Sequence, residues 1–176
     1  MYIGEDSYFL SEVLKSYLKN KLKTKLKILD MGSGTGIQAE TCKNLGFKDI
    51  LAVDIDTESV KFIKKKGINS IQSNLFSKIN KKEKFNLIIF NAPYLPEDKH
   101  DKGKDTTGGK NGDETIIKFL TQAKSHLNKE GEIILLLSSL TPRKKIGQII
   151  KKSYKKEVLA EKTIFFEKLE IWKIIN

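Results

Sequence analysis

The sequence predicts an α/β fold: a central, mostly parallel seven-stranded sheet flanked by helices. Three observations predict it. Short apolar runs alternate along the chain with segments of helical periodicity. The first run, Leu26-Lys27-Ile28-Leu29-Asp30, feeds directly into Gly32-Ser33-Gly34-Thr35-Gly36 and then a helix, the opening unit of a Rossmann-like sheet. No repeat, low-complexity linker or composition break divides the chain, so residues 1–176 are expected to form a single domain.

The elements follow in order. Glu5 to Asn20 is an amphipathic helix, with Leu10, Val13, Leu14, Tyr17 and Leu18 on one face and Asp6 or Ser7 expected to cap its first turn. After the glycine turn, Ile37 to Leu45 is a helix ended by Gly46. Lys48 to Val53 is the next strand and ends at Asp54. Asp56 or Thr57 caps a helix through Lys66, and Asn69 to Gln72 is a short third strand. Phe85 to Phe90 is the fourth strand. Residues 95–112 are a long, charged, glycine-bearing loop, expected to lie on the substrate side. Asp113 to Leu127 is helical and Gly131 to Ser138 is a strongly apolar strand. Thr141-Pro142 is expected to start a helix as N-cap and first residue. Glu157 to Ala160 and Lys168 to Ile174 are the last strands.

Composition narrows the function. No stretch reaches the roughly 18 consecutive apolar residues of a membrane span. The N-terminus, Met1-Tyr2-Ile3-Gly4-Glu5-Asp6, lacks the basic and apolar regions of a signal peptide. Cys42 is the only cysteine, which rules out an internal disulfide and a cysteine zinc site. Together these predict a cytoplasmic protein without a metal centre. The net charge of +11 would suit a nucleic-acid or acidic partner. Yet Arg143 is the only arginine, so bidentate reading of phosphate or guanine has one candidate side chain. Lysine enrichment from an AT-rich genome, or lysine solvating a thermophile's surface, accounts for the charge more simply.

The glycine turn has no Lys-Ser/Thr ending, so it is not a P-loop, and Ile37 stands where a dinucleotide fingerprint wants its last glycine. Its pattern is acid-x-Gly-x-Gly-x-Gly. Asp30, ahead of the turn, would be misplaced beside a pyrophosphate but well placed to accept from an ammonium group. Asp54 can receive both hydroxyls of a ribose. Gly32, Gly34 and Gly36 let the backbone approach a ligand without Cβ clash. An adenosyl ligand with a charged amino-acid tail fits both acids.

This pattern resembles motif I of class I S-adenosylmethionine-dependent methyltransferases, which implies their fold and their cofactor. Asn91-Ala92-Pro93-Tyr94, at the exit of the fourth strand, is similar to the Asn-Pro-Pro-Tyr signature of the amino methyltransferases among them. An amide or exocyclic amino nitrogen is a weak nucleophile because its lone pair is delocalised. The catalyst needs two acceptors aimed at its N–H groups, so that the lone pair points at the sulfonium methyl. The side-chain oxygen of Asn91 is one and the backbone carbonyl of Ala92 the other. Pro93 restricts the loop and Tyr94 can stack on the planar substrate group. Ala92 replaces the family's proline; the carbonyl survives, while rigidity is lost and a backbone N–H is gained.

Two further segments resemble the archaeal and eukaryotic HemK-like branch. They are Glu5-Asp6-Ser7-Tyr8-Phe9-Leu10, and Gly108-Gly109-Lys110-Asn111-Gly112-Asp113-Glu114. The resemblance implies that Ser7 lies near the cofactor's amino-acid end and that Asn74 and Leu75 flank the adenine, with Asn91 in both the catalytic and the cofactor-binding set. It implies methylation of the glutamine side-chain amide in the Gly-Gly-Gln loop of a translation release factor, with a small zinc-binding activator protein as possible heterodimer partner. Bacterial relatives carry an extra N-terminal helical domain for which this chain has no room. Two alternatives stand beside it: amino methylation of a nucleic acid, on adenine N6, cytosine N4 or guanine N2, and a degenerate fold serving as a binding module. Residues 95–111 are expected to be either a lid or a solvated insert, and the third strand to lie at a sheet edge where an activator could cover Ile68 and Ile71.

Overall fold

The computed structural model describes residues 3–21, 25–93, 112–164 and 166–176. In chain order the elements are α1 (Glu5–Lys19), β1 (Lys27–Met31), α2 (Ile37–Asn44), β2 (Asp49–Asp54), α3 (Thr57–Lys65), β3 (Asn69–Gln72) and β4 (Phe85–Asn91). They continue with α4 (Glu114–Ala123), a 3-10 turn (Lys124–His126), β5 (Leu127–Ser138), α5 (Lys144–Ser153), β6 (Lys155–Ile164) and β7 (Glu167–Ile175). The strands form one seven-stranded sheet in the order β3-β2-β1-β4-β5-β7-β6. The β1, β2, β3, β4 and β5 pairings are parallel, and β7 runs antiparallel to both β5 and β6. The expected fold class is therefore the observed one.

Strand alternation divides the core into two layers. Ile28, Leu87, Ile89, Ile134 and Leu136 pack with Leu10, Leu14 and Leu18 of α1, Ala39 and Cys42 of α2 and Ile63 of α3. Leu29, Met31, Ile88, Phe90, Ile133 and Leu135 pack with Ile116, Phe119 and Leu120 of α4 and Ile146 of α5. The three leucines of α1 are fully buried. At ~1.5–3 kcal/mol for each such side chain, their burial holds the helix on the sheet. Cys42 is one of these buried apolar groups.

Three local expectations are corrected. Asp6 and Ser7 do not cap α1: the N-cap is Gly4, with no side-chain cap bond among the described residues. Their side chains are engaged elsewhere, as shown below. Thr141-Pro142 does not open α5, whose N-cap is Arg143. A turn intervenes, closed by Thr141 N–H donating to the Ser138 carbonyl and Leu140 N–H to Ser138 Oγ. Arg143 is then held by Glu170 at 2.7 Å. Leu127 is not helical, because it joins the sheet opposite Phe85. The turn before it buries His126, whose ring stacks on Phe76 and whose Nδ1 meets the Glu83 carbonyl.

β3 is an edge strand, as expected, but Ile68 is already buried in the chain's own core and only Ile71 is half-exposed. Among the described residues no helix is long and apolar enough to cross a membrane. The segment expected to be a lid or a solvated insert, Leu95 to Asn111, lies outside the described residues.

Candidate active site

The chain runs outward from β1 through β2 to β3, then returns to place β4 on the other side of β1. The crevice at the carboxyl ends of β1 and β4 is thus the topological switch point, where open α/β sheets bind ligands. Asp30 lies at the exit of β1, Asp54 at the end of β2 and Asn91 at the end of β4. Period-two alternation puts Asp30 and Asn91 on the same face as Ile28 and Ile89, under α1 and α2. Ala92 falls on the opposite face, buried with Ile88 and Phe90.

The turn after β1 is built from residues with positive φ: Gly32 at +58°, Gly34 at +49° and Gly36 at +76°. A Cβ on Gly36 would stand 2.8 Å from Ile63 Cγ1, so this glycine permits helix packing. A Cβ on Gly34 would meet nothing within 4 Å. That glycine therefore faces open space at the rim of the crevice, where backbone can lie against a ligand.

Asp54 organises this rim. Its Oδ2 accepts from Gly34 N–H at 2.6 Å and its Oδ1 from Asp56 N–H at 2.9 Å. Its carbonyl accepts from Ser73 N–H at 2.8 Å, which leads the chain into Asn74 and Leu75. Leu75 has φ +49°, a conformation that a bulky side chain rarely adopts. Leu75 is buried and Asn74 exposed, with Lys118 of α4 at 3.5 Å from its Oδ1.

Asp30 is 1% exposed, and its Oδ2 accepts from Ala39 N–H of α2 at 3.0 Å. Burial pushes its carboxyl up to about 7; the Ala39 bond opposes this and the Asp54 charge adds to it. The acid expected to receive an ammonium group thus has one oxygen committed inside the protein.

The amide of Asn91 is held in a fixed sense. Its Nδ2 donates to Asp6 Oδ2 at 2.9 Å and to Ser7 Oγ at 3.0 Å. Its Oδ1 is buried and takes no hydrogen bond from any described residue. Ser7 also receives, at its carbonyl, Gln38 Nε2 at 2.9 Å, and Gln38 Oε1 is likewise buried without a described partner. One residue of α1 therefore gathers two carboxamides and leaves the oxygen of each unpaired. Pro93 is half-buried; Tyr94, Gly108 and Gly109 lie outside the described residues.

The structure thus brings Ser7 and Asn91 into contact and places Asp30, Gly32, Gly34, Gly36 and Asp54 around the adjoining turn. Asp6 and Gln38 are the site residues that sequence reasoning missed. Asp6 stands in the quoted Glu5-Asp6-Ser7 segment, whose position before an amphipathic run favoured a capping role. Gln38 is a polar residue that α2 buries, and no pattern in the residues around it marks it for the site.

Residues 8–167 match the methyltransferase small domain family. A Methanocaldococcus jannaschii protein named for N5-glutamine methylation of proteins is 33% identical, over 97% of this chain and 90% of its own length. Ribosomal RNA small subunit methyltransferase C of Haemophilus influenzae is 33% identical over 75% of this chain but 38% of its own length. Among solved structures, the E. cuniculi Mtq2-Trm112 complex responsible for methylating the termination factor eRF1 has a TM-score of 0.77 at 22% identity, covering 100% of this chain and 98% of that one. The T. thermophilus 16S rRNA N2 G1207 methyltransferase, solved with AdoMet and guanosine, has a TM-score of 0.72 at 16% identity, covering 99% of this chain and 44% of that one. These structural likenesses establish the fold, and the sequence matches establish the lineage: this chain belongs to the methyltransferase small domain family.

Proposed function

We propose that this chain methylates the side-chain amide nitrogen of the glutamine in the Gly-Gly-Gln loop of a translation release factor, with S-adenosylmethionine as the methyl donor. The observation that carries the reading is the unpaired, buried Oδ1 of Asn91, fixed as an acceptor by the donation of Nδ2 to Asp6 and Ser7. The near full-length M. jannaschii relative supports the glutamine substrate.

The crevice fits the donor. The left-handed glycine turn leaves space at Gly34, and Asp54 stands beside it with acceptor capacity beyond its two backbone partners. Asp30, pushed up to about 7, would be drawn back towards its ionised form by a cationic group nearby. When bound, the donor would supply an electrophilic methyl group, its S–C bond breaking to leave a neutral thioether as the N–C bond forms and the nitrogen giving up one of its two protons to solvent.

The chain's own residues act on the acceptor nitrogen. Asn91 Oδ1 takes one N–H of the substrate amide, and the Ala92 carbonyl takes the other. Together they twist the lone pair out of conjugation and aim it at the methyl. As positive charge grows on nitrogen, both hydrogen bonds strengthen, which favours the transition state over the ground state. Asn91 Oδ1 is preorganised by the two bonds at its Nδ2, so it needs no reorientation at the moment of transfer. Tyr94 is assigned to stacking on the planar amide, and Asn74 with Leu75 to the adenine.

A small zinc-binding activator is proposed as partner at the β3 edge, which among the described strands is paired by β2 alone. The naming of the E. cuniculi structure as an Mtq2-Trm112 complex supports a partner subunit. Release factors act on ribosomes, so the reaction is placed in the cytoplasm.

The second reading, amino methylation of ribosomal RNA, is favoured by the H. influenzae relative. One experiment separates them. Labelled S-adenosylmethionine is offered with a release factor, the same factor with its Gly-Gly-Gln glutamine changed, and total RNA. Label only on the intact factor is the expected result. Label on RNA, whatever the state of the glutamine, would replace the proposal with the second reading.

A further inference from the structure

We infer that Asp6 is a positioning residue for the transfer: its carboxylate sets which way the Asn91 amide faces and polarises that amide towards the substrate. The inference deepens the proposed function and rests on it for its kinetic arm.

A carboxamide has two ends of similar shape and opposite hydrogen-bonding sense, so Asn91 could present either Nδ2 or Oδ1 to the crevice. A donor presented to a substrate N–H would abolish the acceptor function. Ser7 Oγ cannot decide the matter, since a hydroxyl both donates and accepts. Gln38 cannot decide it either, since its Nε2 binds the Ser7 carbonyl. Asp6 can. An ionised carboxylate only accepts, and Asp6 Oδ2 lies 2.9 Å from Asn91 Nδ2. Turning the amide over would set two acceptor oxygens against each other and leave Nδ2 facing the substrate.

The same contact tunes the acceptor. A hydrogen bond from an amide N–H to a carboxylate is charge-assisted and shifts electron density towards the far end of the amide. The far end is Oδ1, the atom left unpaired. Asp6, Asn91 and the substrate N–H therefore form a chain in which each hydrogen bond strengthens the next. The helix α1 that carries Asp6 is anchored in the core by Leu10, Leu14 and Leu18, further along the helix than Asp6.

The test compares wild type with Asp6→Ala and Asp6→Asn as full chains. Deleting one charge-assisted bond should lower kcat by roughly tenfold or more in Asp6→Ala. KM for the release factor and the dissociation constant for S-adenosylmethionine, read by calorimetry, should stay within about twofold. Asp6→Asn keeps a carbonyl acceptor in place and should restore most of the kcat. A second readout needs no turnover. With asparagine side chains labelled by nitrogen-15, and Asn91 assigned by the signal missing from Asn91→Ala, the Asn91 amide protons should lie downfield in wild type. They should move upfield in Asp6→Ala and return part-way in Asp6→Asn. Unchanged Asn91 signals in Asp6→Ala, or a kcat loss matched by weaker cofactor binding and not rescued by Asp6→Asn, would overturn the inference. If the release factor is no substrate at all, the signals still decide the role of Asp6, and the proposed function fails separately.

Discussion

Asp54 and Gly34 are joined by a 2.6 Å hydrogen bond in which the backbone N–H of the turn donates to the carboxylate. A second N–H, from Asp56, occupies the other oxygen at 2.9 Å. One side chain thus ties the β1 exit to the β2 exit. Asp54→Ala should loosen both ends, at a cost of ~1–3 kcal/mol for each donor left unsatisfied. The expected outcome is a lower Tm together with cofactor affinity reduced at least roughly tenfold, measured by thermal unfolding and calorimetry.

Gly34 and Gly36 make a contrasting pair. Gly36→Ala drives a Cβ to 2.8 Å from Ile63 at a φ of +76°. It should destabilise the fold by on the order of 1–3 kcal/mol. Gly34→Ala meets no atom within 4 Å and carries only the left-handed strain, ~1–2 kcal/mol. Its larger effect should fall on cofactor binding, because the new methyl group occupies the open side of the turn. Tm and affinity measured on both variants check the contrast.

Asp30 should make stability depend on pH. Its carboxyl is pushed from the ordinary 3.8 up to about 7 in the folded protein, chiefly by burial. Between those values the folded state holds a proton that the unfolded state has released. Stability is therefore lost as pH rises through that window, by a few kcal/mol at most, and is flat above it. Asp30→Asn keeps an acceptor for Ala39 N–H without the charge. It should have a higher Tm than wild type at pH 8 and no advantage near pH 4. Equal pH profiles for the two proteins would contradict this.

Asn91→Ala should leave S-adenosylmethionine binding close to wild type and lower transfer by ~100-fold or more, the scale seen when one preorganised hydrogen-bonding group is removed from a transition state. Single-turnover rates at saturating cofactor measure it. Near-normal transfer would remove Asn91 from the mechanism.

The features legible in the sequence are those that depend on neighbours along the chain. Strand, glycine turn and helix lie within about twenty residues, and the order of Asp30, Gly32, Gly34, Gly36 and Asp54 reports one continuous βαβ unit. The position of Asn91 followed from its place at the end of an apolar run. The features that escaped depend on distant partners. Asp6 looks like a cap until Asn91 arrives from 85 positions away. Thr141-Pro142 has the local chemistry of a helix start, but Ser138 takes the nearby donors into a turn. Leu127 continues a helical pattern and is drawn into the sheet by Phe85.

The first turn of α1 has no side-chain cap among the described residues, because its N-cap is Gly4, while Asp6 and Ser7 within that turn bond Asn91. Helix ends of this kind fray readily, and in most proteins such fraying is silent. Were that end to open here, Asn91 Nδ2 would lose both of its hydrogen-bond acceptors, Asp6 and Ser7, at once. On the proposed mechanism, turnover would then scale with the closed fraction of the amino end of one helix. Contacts that hold that end closed would then raise the rate without touching the donor, the substrate or the sheet.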